Sequence, residues 1–476
     1  MIWQGLRLLL ALGLVALVGA GIARPEQGKR WYALGAYGFG VSFALGIAAV
    51  AGYMLILSAF GLSLSFWKIV LVAAVPVVSL ALLAVRRSRV LPHVPSEPAS
   101  GSFVSTDLVR PAIAIGLLAL TTAFVFIGCF VEPISEEDPV AAWSFHAKLF
   151  FHNHTAFPAY LTSGASGPYA SYSPPFLPLV QTWGHFAMGA YNDLAIKLVF
   201  CFIYVAILSV MFTALRRYVS KTYSLAVMLL VAAAPALVIP FPSGSVASGY
   251  ADVPLSLFLA ATACLLVFWA SGEGLKPLVL ASVLASSAMW TKREGMAFSI
   301  VATLLVWALA LWPAGKRRTS NLRGQVIFTG VQAASMILLA MYKGRFPGTF
   351  AGEPVQFAKL LSGESVVRFV KLCALFVMEG LNPTRWGLLW IVAVLAIILR
   401  ARQLRNPALV VPLWLIGGQV LVSVLFMTVS GYPVAQHAYL DMRRVLVTVA
   451  PIAGILIGLL SATEDRAASP RRGADA

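Results

Sequence analysis

The sequence predicts an all-α polytopic membrane protein with about 12–13 membrane-crossing helices, and three observations predict it. The first is charge: only 11% of the 476 residues are charged, against about 25% in soluble domains. The second is length, because apolar runs of about 20 residues recur from end to end, enough to cross a hydrocarbon core of about 30 Å as a helix. The third is continuity: the runs are apolar throughout, whereas barrel strands alternate. With 60% hydrophobic residues and a mean hydropathy of +0.86, no soluble-domain reading fits.

Taken in order, the runs fall near 2–22, 33–60, 66–85, 111–131, 193–214, 223–240, 250–271, 275–290, 296–313, 325–342, 385–400, 408–428 and 444–461. The first follows a weak basic start and has no persuasive cleavage site, so an uncleaved span is expected. The formal charge of +17 sits in short clusters between runs, which orients a membrane protein and argues against nucleic acid as a partner. Arg86, Arg87 and Arg89, then Arg216, Arg217 and Lys221, then Lys316, Arg317, Arg318 and Arg323 all fall on one face, joined by Arg400, Arg402 and Arg405. That face is expected to be cytoplasmic.

The chain then divides into leading helices (1–91), a Pro- and Ser-rich cytoplasmic linker (92–110), a core (111–461) with a long outer loop (132–192), and a cytoplasmic tail (462–476). Cys129, Cys201, Cys264 and Cys373 lie in or beside apolar runs without pairing or metal-ligand spacing.

The outer loop opens on Glu132, Glu136, Glu137 and Asp138, four of the eighteen acidic residues. Asp138 before Pro139 is a start signal for a helix over Val140 to Phe151, with Asp138 as its N-cap. A carboxylate at such a place also suits proton abstraction from a hydroxyl. The helix carries Trp143, His146 and Lys148 and is expected to lie along the membrane interface as a roof over the spans. His146, His152 and His154 do not make a metal set, since positions i and i+2 splay apart on a helix. Beyond Gly164 to Gly167, Tyr169 and Tyr172 lead into Ser173-Pro174-Pro175-Phe176-Leu177-Pro178, a shaped turn or a plain re-entry turn.

These residues resemble the bacterial GT-C glycosyltransferases, multispan enzymes that use polyprenyl-phosphate-linked sugars and include the protein O-mannosyltransferase and aminoarabinose transferase types. Asp138, Trp143 and Lys148 match the first-loop motif in which an Asp is followed five residues on by Trp and ten on by Lys. Glu137 and His146 stand where the family often has an aromatic and a Lys, which leaves open whether Glu137 shares or takes the acidic role. Tyr172 to Pro178 is similar to the family's Tyr-Pro-Pro run with Ser173 inserted. Gly249-Tyr250-Ala251-Asp252-Val253-Pro254, Thr291-Lys292-Arg293-Glu294-Gly295 and Asp441-Met442-Arg443-Arg444 resemble its later motifs, in the same order and on the same outer face.

The resemblance implies transfer of a hexosyl or pentosyl group from a polyprenyl-phosphate donor to a glycan, lipid or protein acceptor at the periplasmic face of the bacterial inner membrane. Asp138 or Glu137 would be the general base. Lys292, Arg293, Arg443 and Arg444 would meet the donor phosphate, with Lys343 and Arg345 as further cations, although interfacial snorkelling explains such side chains too. Trp143, His146, Lys148, Tyr172, Asp252 and Glu294 would line the substrate cavity; Asp252 has helix capping as its alternative, and Glu294 an ion pair with Lys292 or Arg293. The resemblance names no certain cofactor, and a divalent cation at the phosphate stays open. Two rivals come from other classes: a transporter or flippase for a lipid-linked or polar solute, and a non-catalytic membrane scaffold. A coupled carrier would place ionisable groups at mid-span, where this sequence has few.

Overall fold

A computed structural model of the chain describes residues 2–23, 37–75, 78, 109–163, 174–239, 244–311, 322–346 and 362–462. Among them all regular structure is helical and no strand occurs. Nine helices are long and apolar enough to cross a membrane: Ile2–Ala23, Gly38–Ala59, Val109–Val131, Ala195–Leu215, Asp252–Ala270, Arg293–Ala310, Leu322–Lys343, Pro407–Val429 and Met442–Leu460. Four other runs form shorter apolar helices, Phe66–Val75, Lys221–Ala232, Leu275–Thr291 and Leu389–Leu399. All thirteen runs read from the sequence therefore carry a helix; Leu275–Thr291 fills its run, most of the run from 76 to 85 lies outside the described residues, and Lys221–Ala232 and Leu389–Leu399 fall short of the full spans expected there. Two causes are local. The Lys221 helix stops at Ala232, just before Pro235, and the Leu389 helix starts only after Gly387, whose φ is +55°. The linker residues 92–108, the tail residues 463–476 and the basic clusters at Arg86 to Arg89 and Lys316 to Arg318 lie outside the described residues.

Asp252–Ala270 and Met442–Leu460 form the centre, buried along nearly their whole length, and pack on each other and on Leu198–Leu215. Peripheral helices turn Ile113, Leu120, Ile127, Ile337, Met341 and Leu421 outward, as lipid contact requires. The first two helices join through small residues. A side chain at Gly19 would overlap the Ser42 carbonyl, and one at Gly46 would overlap the Val15 carbonyl, so each helix brings its backbone against the other.

The segment after Val131 continues from the bundle as a run of helices, of which the later one is packed into it. Its helix begins at Glu137, passes through a π-helical stretch at Pro139–Ser144 and continues as Phe145–Asn153. It packs on Phe176–Met188, all thirteen residues of which are buried against the first two helices. The apolar faces of Phe176, Leu179, Trp183 and Phe186 drive this insertion. Leading helices hold the segment by hydrogen bonds: Asn192 Nδ2 donates to Gln4 Oε1 at 3.0 Å, and the Ala156 N–H donates to Ser58 Oγ at 2.9 Å. Trp183 stacks on Phe66 with centroids 5.3 Å apart. His154, left-handed at φ +54°, closes the Phe145 helix, and its Nδ1 lies 2.9 Å from the Leu64 carbonyl oxygen.

At one end of the bundle Arg217 pairs with Glu273, and Tyr223 bonds Ser461. Arg400 lines the same crevice as Tyr223 and Ser461, so the described basic clusters gather at this end.

The glycine contact at the first helix pair is testable. Gly46→Ala is expected to lower stability in detergent by about 1–3 kcal/mol, because a backbone carbonyl must move. Gly52→Ala on the same helix meets no atom within 4 Å and is expected to be neutral or slightly stabilising. Thermal unfolding of the two variants side by side checks the pair.

Candidate functional site

At the end opposite the basic clusters, four distant segments meet in one alternating chain of charges. Arg444 Nη1 donates to Asp138 Oδ2 at 3.0 Å, and its Nε donates to Asp252 Oδ2 at 3.0 Å. Lys292 Nζ donates to Asp252 Oδ1 at 2.7 Å and lies 2.7 Å from Glu294 Oε1. The order is Asp138, Arg444, Asp252, Lys292, Glu294. Asp252 is fully buried at the centre, whereas the outer members Asp138 and Glu294 keep 40% and 34% of their side chains exposed.

Local backbone places each member. Gly249, at φ +82°, turns the chain into the Asp252 helix and packs against Ile134 of the outer segment. The following Tyr250 presents its ring to Arg444, whose guanidinium carbon lies 4.5 Å from the centroid, and Trp143 meets the same ring edge-on at 6.0 Å. Lys292 is a single extended residue between helices Leu275–Thr291 and Arg293–Ala310. The hairpin closes at Gly295, where any side chain would overlap Ala288 backbone. Glycine is therefore required for the reversal that aims Lys292 at Asp252.

Asp138 departs from its expected capping role. Its backbone is already helical (φ −59°, ψ −50°) and its side chain accepts no cap hydrogen bond. The helix begins one residue earlier, at Glu137, which frees the Asp138 carboxylate for Arg444. Asp252 likewise does not cap its helix: it lies in the first turn and is held by two cations.

A buried carboxylate is stable only when paired and hydrogen-bonded, and Asp252 receives bonds on both oxygens. Burial and the Arg444 charge act against the Lys292 ammonium, but Asp252 and Glu294 outweigh them and raise its pKa above the ordinary lysine value. Glu136, half-buried beside this chain, is raised in pKa by burial and then by Glu132 and Asp138, with Arg444 opposing. Glu136 and Tyr250 thus border the site, although neither stands out in the sequence as a site residue; their signal was position alone, two residues from Asp138 and from Asp252.

Other residues singled out in the sequence go elsewhere. Glu137 is exposed and outside the ion-pair chain. His146 is buried between Phe145 and Phe150, stacked on Phe150 at 6.2 Å, and burial lowers its pKa to about 4 despite a hydrogen bond to Ala142 backbone. Lys148 is exposed and sits over the Tyr191 ring at 5.3 Å. Arg443 is buried but separated from Arg444: its Nε is 4.0 Å from Glu379, which also pairs with Arg385 and accepts from Trp386 Nε1 at 3.4 Å. Adjacent helical residues point about 100° apart, so the two arginines serve different carboxylates. Arg293 starts its helix beside Lys292, and Tyr172 lies outside the described residues.

Among the described residues no group of three His, Cys, Asp or Glu is arranged to hold a metal ion. The carboxylates of the central chain already bond Arg444 and Lys292, a donor set that does not fit a divalent cation. Cys129 and Cys201, far apart in sequence, are both buried and share a hydrogen bond.

No protein-family model matches the chain, and no curated protein or solved structure matches it either.

Two predictions follow from burial. Asp252→Ala strands Lys292 and Arg444 and is expected to cost about 3–5 kcal/mol, whereas Asp138→Asn, at the exposed end, should cost less than about 1 kcal/mol. Thermal unfolding in detergent reads both. His146 stays neutral in the fold to about pH 4, while the unfolded chain takes a proton near 6.5. The unfolded state therefore binds more protons between those values, and stability falls as pH drops from 6.5 to 4, by up to about 3 kcal/mol. His146→Gln should flatten that part of the profile.

Proposed function

We propose that the chain is a membrane glycosyltransferase that moves a sugar from a polyprenyl-phosphate donor to a cell-envelope glycan, lipid or protein. The supporting observation is the Asp138 carboxylate, which is exposed while one of its oxygens is fixed by a buried arginine. Such a group is oriented without being withdrawn from an incoming hydroxyl.

In this reading Asp138 takes the proton of the acceptor hydroxyl as its oxygen bonds to the anomeric carbon. The bond from that carbon to the phosphate oxygen breaks, and the lipid phosphate leaves with the electron pair. Arg444 is a positioning residue, held by Asp252 from behind. At the other end of the chain Glu294 is partly exposed on Lys292, so a phosphate arriving there replaces a carboxylate on an existing ammonium. Arg293 adds charge at the same helix start. The site end of the bundle would face the periplasm, opposite the basic clusters, and the thirteen apolar helices would include shorter ones that cross with their flanking segments.

The transporter reading is weaker for one reason. In the nine long apolar helices, every Asp, Glu, Lys and Arg lies within about two turns of a helix end, which leaves no mid-membrane ionisable site for coupling among the described residues.

The test uses liposomes containing the wild-type protein or Asp138→Asn, supplied with labelled polyprenyl-phosphate sugars and envelope acceptors. Release of sugar from lipid by the wild type, reduced about 10²- to 10⁴-fold in Asp138→Asn, is the expected result. Full activity in the variant would remove Asp138 as the base and turn attention to Glu136 and Glu137. No donor consumption with any acceptor would overturn the transferase reading.

A further inference from the structure

We propose that Ser430, His437 and Asp441 form a second catalytic centre, in which Ser430 is a nucleophile that takes an acyl group from an ester of a membrane lipid. The three residues come from a twelve-residue stretch joining the last two long helices. Ser430 Oγ lies 2.6 Å from His437 Nε2, and His437 Nδ1 lies 2.6 Å from Asp441 Oδ2. These are the contacts by which a histidine activates a serine and a carboxylate orients the histidine.

Proton placement follows from donor and acceptor capacity. An ionised carboxylate only accepts, so Nδ1 carries the proton toward Asp441. The neutral imidazole then has its lone pair on Nε2, and Ser430 Oγ donates to it. The Tyr432 N–H donates to the same oxygen at 3.2 Å, which engages one lone pair and leaves the other for attack. Ser430 Oγ thus donates to the histidine while accepting from the backbone two residues on.

The backbone holds this geometry. Ser430 ends the Pro407–Val429 helix in an extended conformation, and Val434–Leu440 then sets His437 and Asp441 at i and i+4 on one face. Arg368 of the neighbouring Gly363–Gly380 helix donates to the Met427 carbonyl at 2.8 Å and the Tyr432 carbonyl at 2.5 Å, clamping the chain on both sides of the serine. His437 is buried, which shields its bonds from water, while Ser430 keeps a small accessible area and Gly431 to Pro433 are exposed.

Location sets the substrate class. The serine sits where an apolar helix ends, among exposed Phe426, Tyr432, Tyr439 and Leu440, a belt suited to the boundary of lipid and water. An acyl ester whose chain stays in the bilayer meets Oγ at that depth. Oγ adds to the ester carbonyl carbon as Nε2 takes the Oγ proton; the intermediate collapses, its carbon–oxygen bond to the alcohol breaks, and the alcohol leaves with the proton from Nε2. Water or a second alcohol then cleaves the acyl-serine and restores Ser430.

This centre does not depend on the transferase reading and is tested without it. Purified full-length protein in detergent is treated with an alkyl fluorophosphonate, whose phosphorus bonds Oγ as fluoride leaves. The expected result is a covalent adduct mapped to Ser430 by peptide mass spectrometry, absent in Ser430→Ala and formed at least about 100-fold more slowly in His437→Gln. Thermal unfolding confirms that each variant is folded. Folded wild-type protein that gains no adduct at Ser430, or His437→Gln labelled as fast as wild type, would overturn the proposal, because a purely structural hydrogen bond would not set the rate of phosphonylation.

Discussion

The pairing of buried Asp252 with Lys292 and Arg444 is the constraint on which the working end of this protein depends. A carboxylate without solvent cannot stand alone at the top of the central helix, and two cations reach it from separate directions. Lys292 requires the hairpin pinned at Gly295, and Arg444 requires the first turn of the last long helix. Arg444 then gives its Nη1 to Asp138, which brings in the segment after Val131. One buried charge therefore fixes the relative positions of four segments spread over some three hundred residues, and disturbing any of them exposes or strands it.

The network is graded. Its centre is sealed, its two carboxylate ends face outward, and the flanking Trp143 and Tyr250 cover the Arg444 side. A sealed centre holds geometry, while exposed ends exchange partners with little cost, since exposed ion pairs contribute only about 0–1 kcal/mol.

How much of this was legible in the sequence depends on the range of the interaction. Helices were legible because periodicity and apolar run length act locally, and each marked run carries one; run length overstated the spans at Lys221–Ala232 and Leu389–Leu399, where proline and glycine shorten the helix. Asp138, Asp252, Lys292, Glu294 and Arg444 stood out as charges at the ends of apolar runs, but their connectivity did not. The Asp-Pro start at 138 was read as a cap because capping is a local rule, and a long-range guanidinium overrode it. The split of Arg443 from Arg444 follows from helical geometry once the last helix is known to begin at Met442. The Cys129–Cys201 contact and the burial of Phe176–Met188 carry no local signal at all.

The leading helices fit the same logic. Gln4, Ser58, Leu64 and Phe66 reach the segment that carries Asp138 through Asn192, Ala156, His154 and Trp183, all further along it than Asp138. Arg444 anchors one end of that segment electrostatically, and the leading helices anchor the other by packing. A carboxylate on an unsupported loop would follow the loop's motion. Holding the segment at both ends converts a connection between two spans into a platform, which gives the first helices a role in the site without contributing a residue to it.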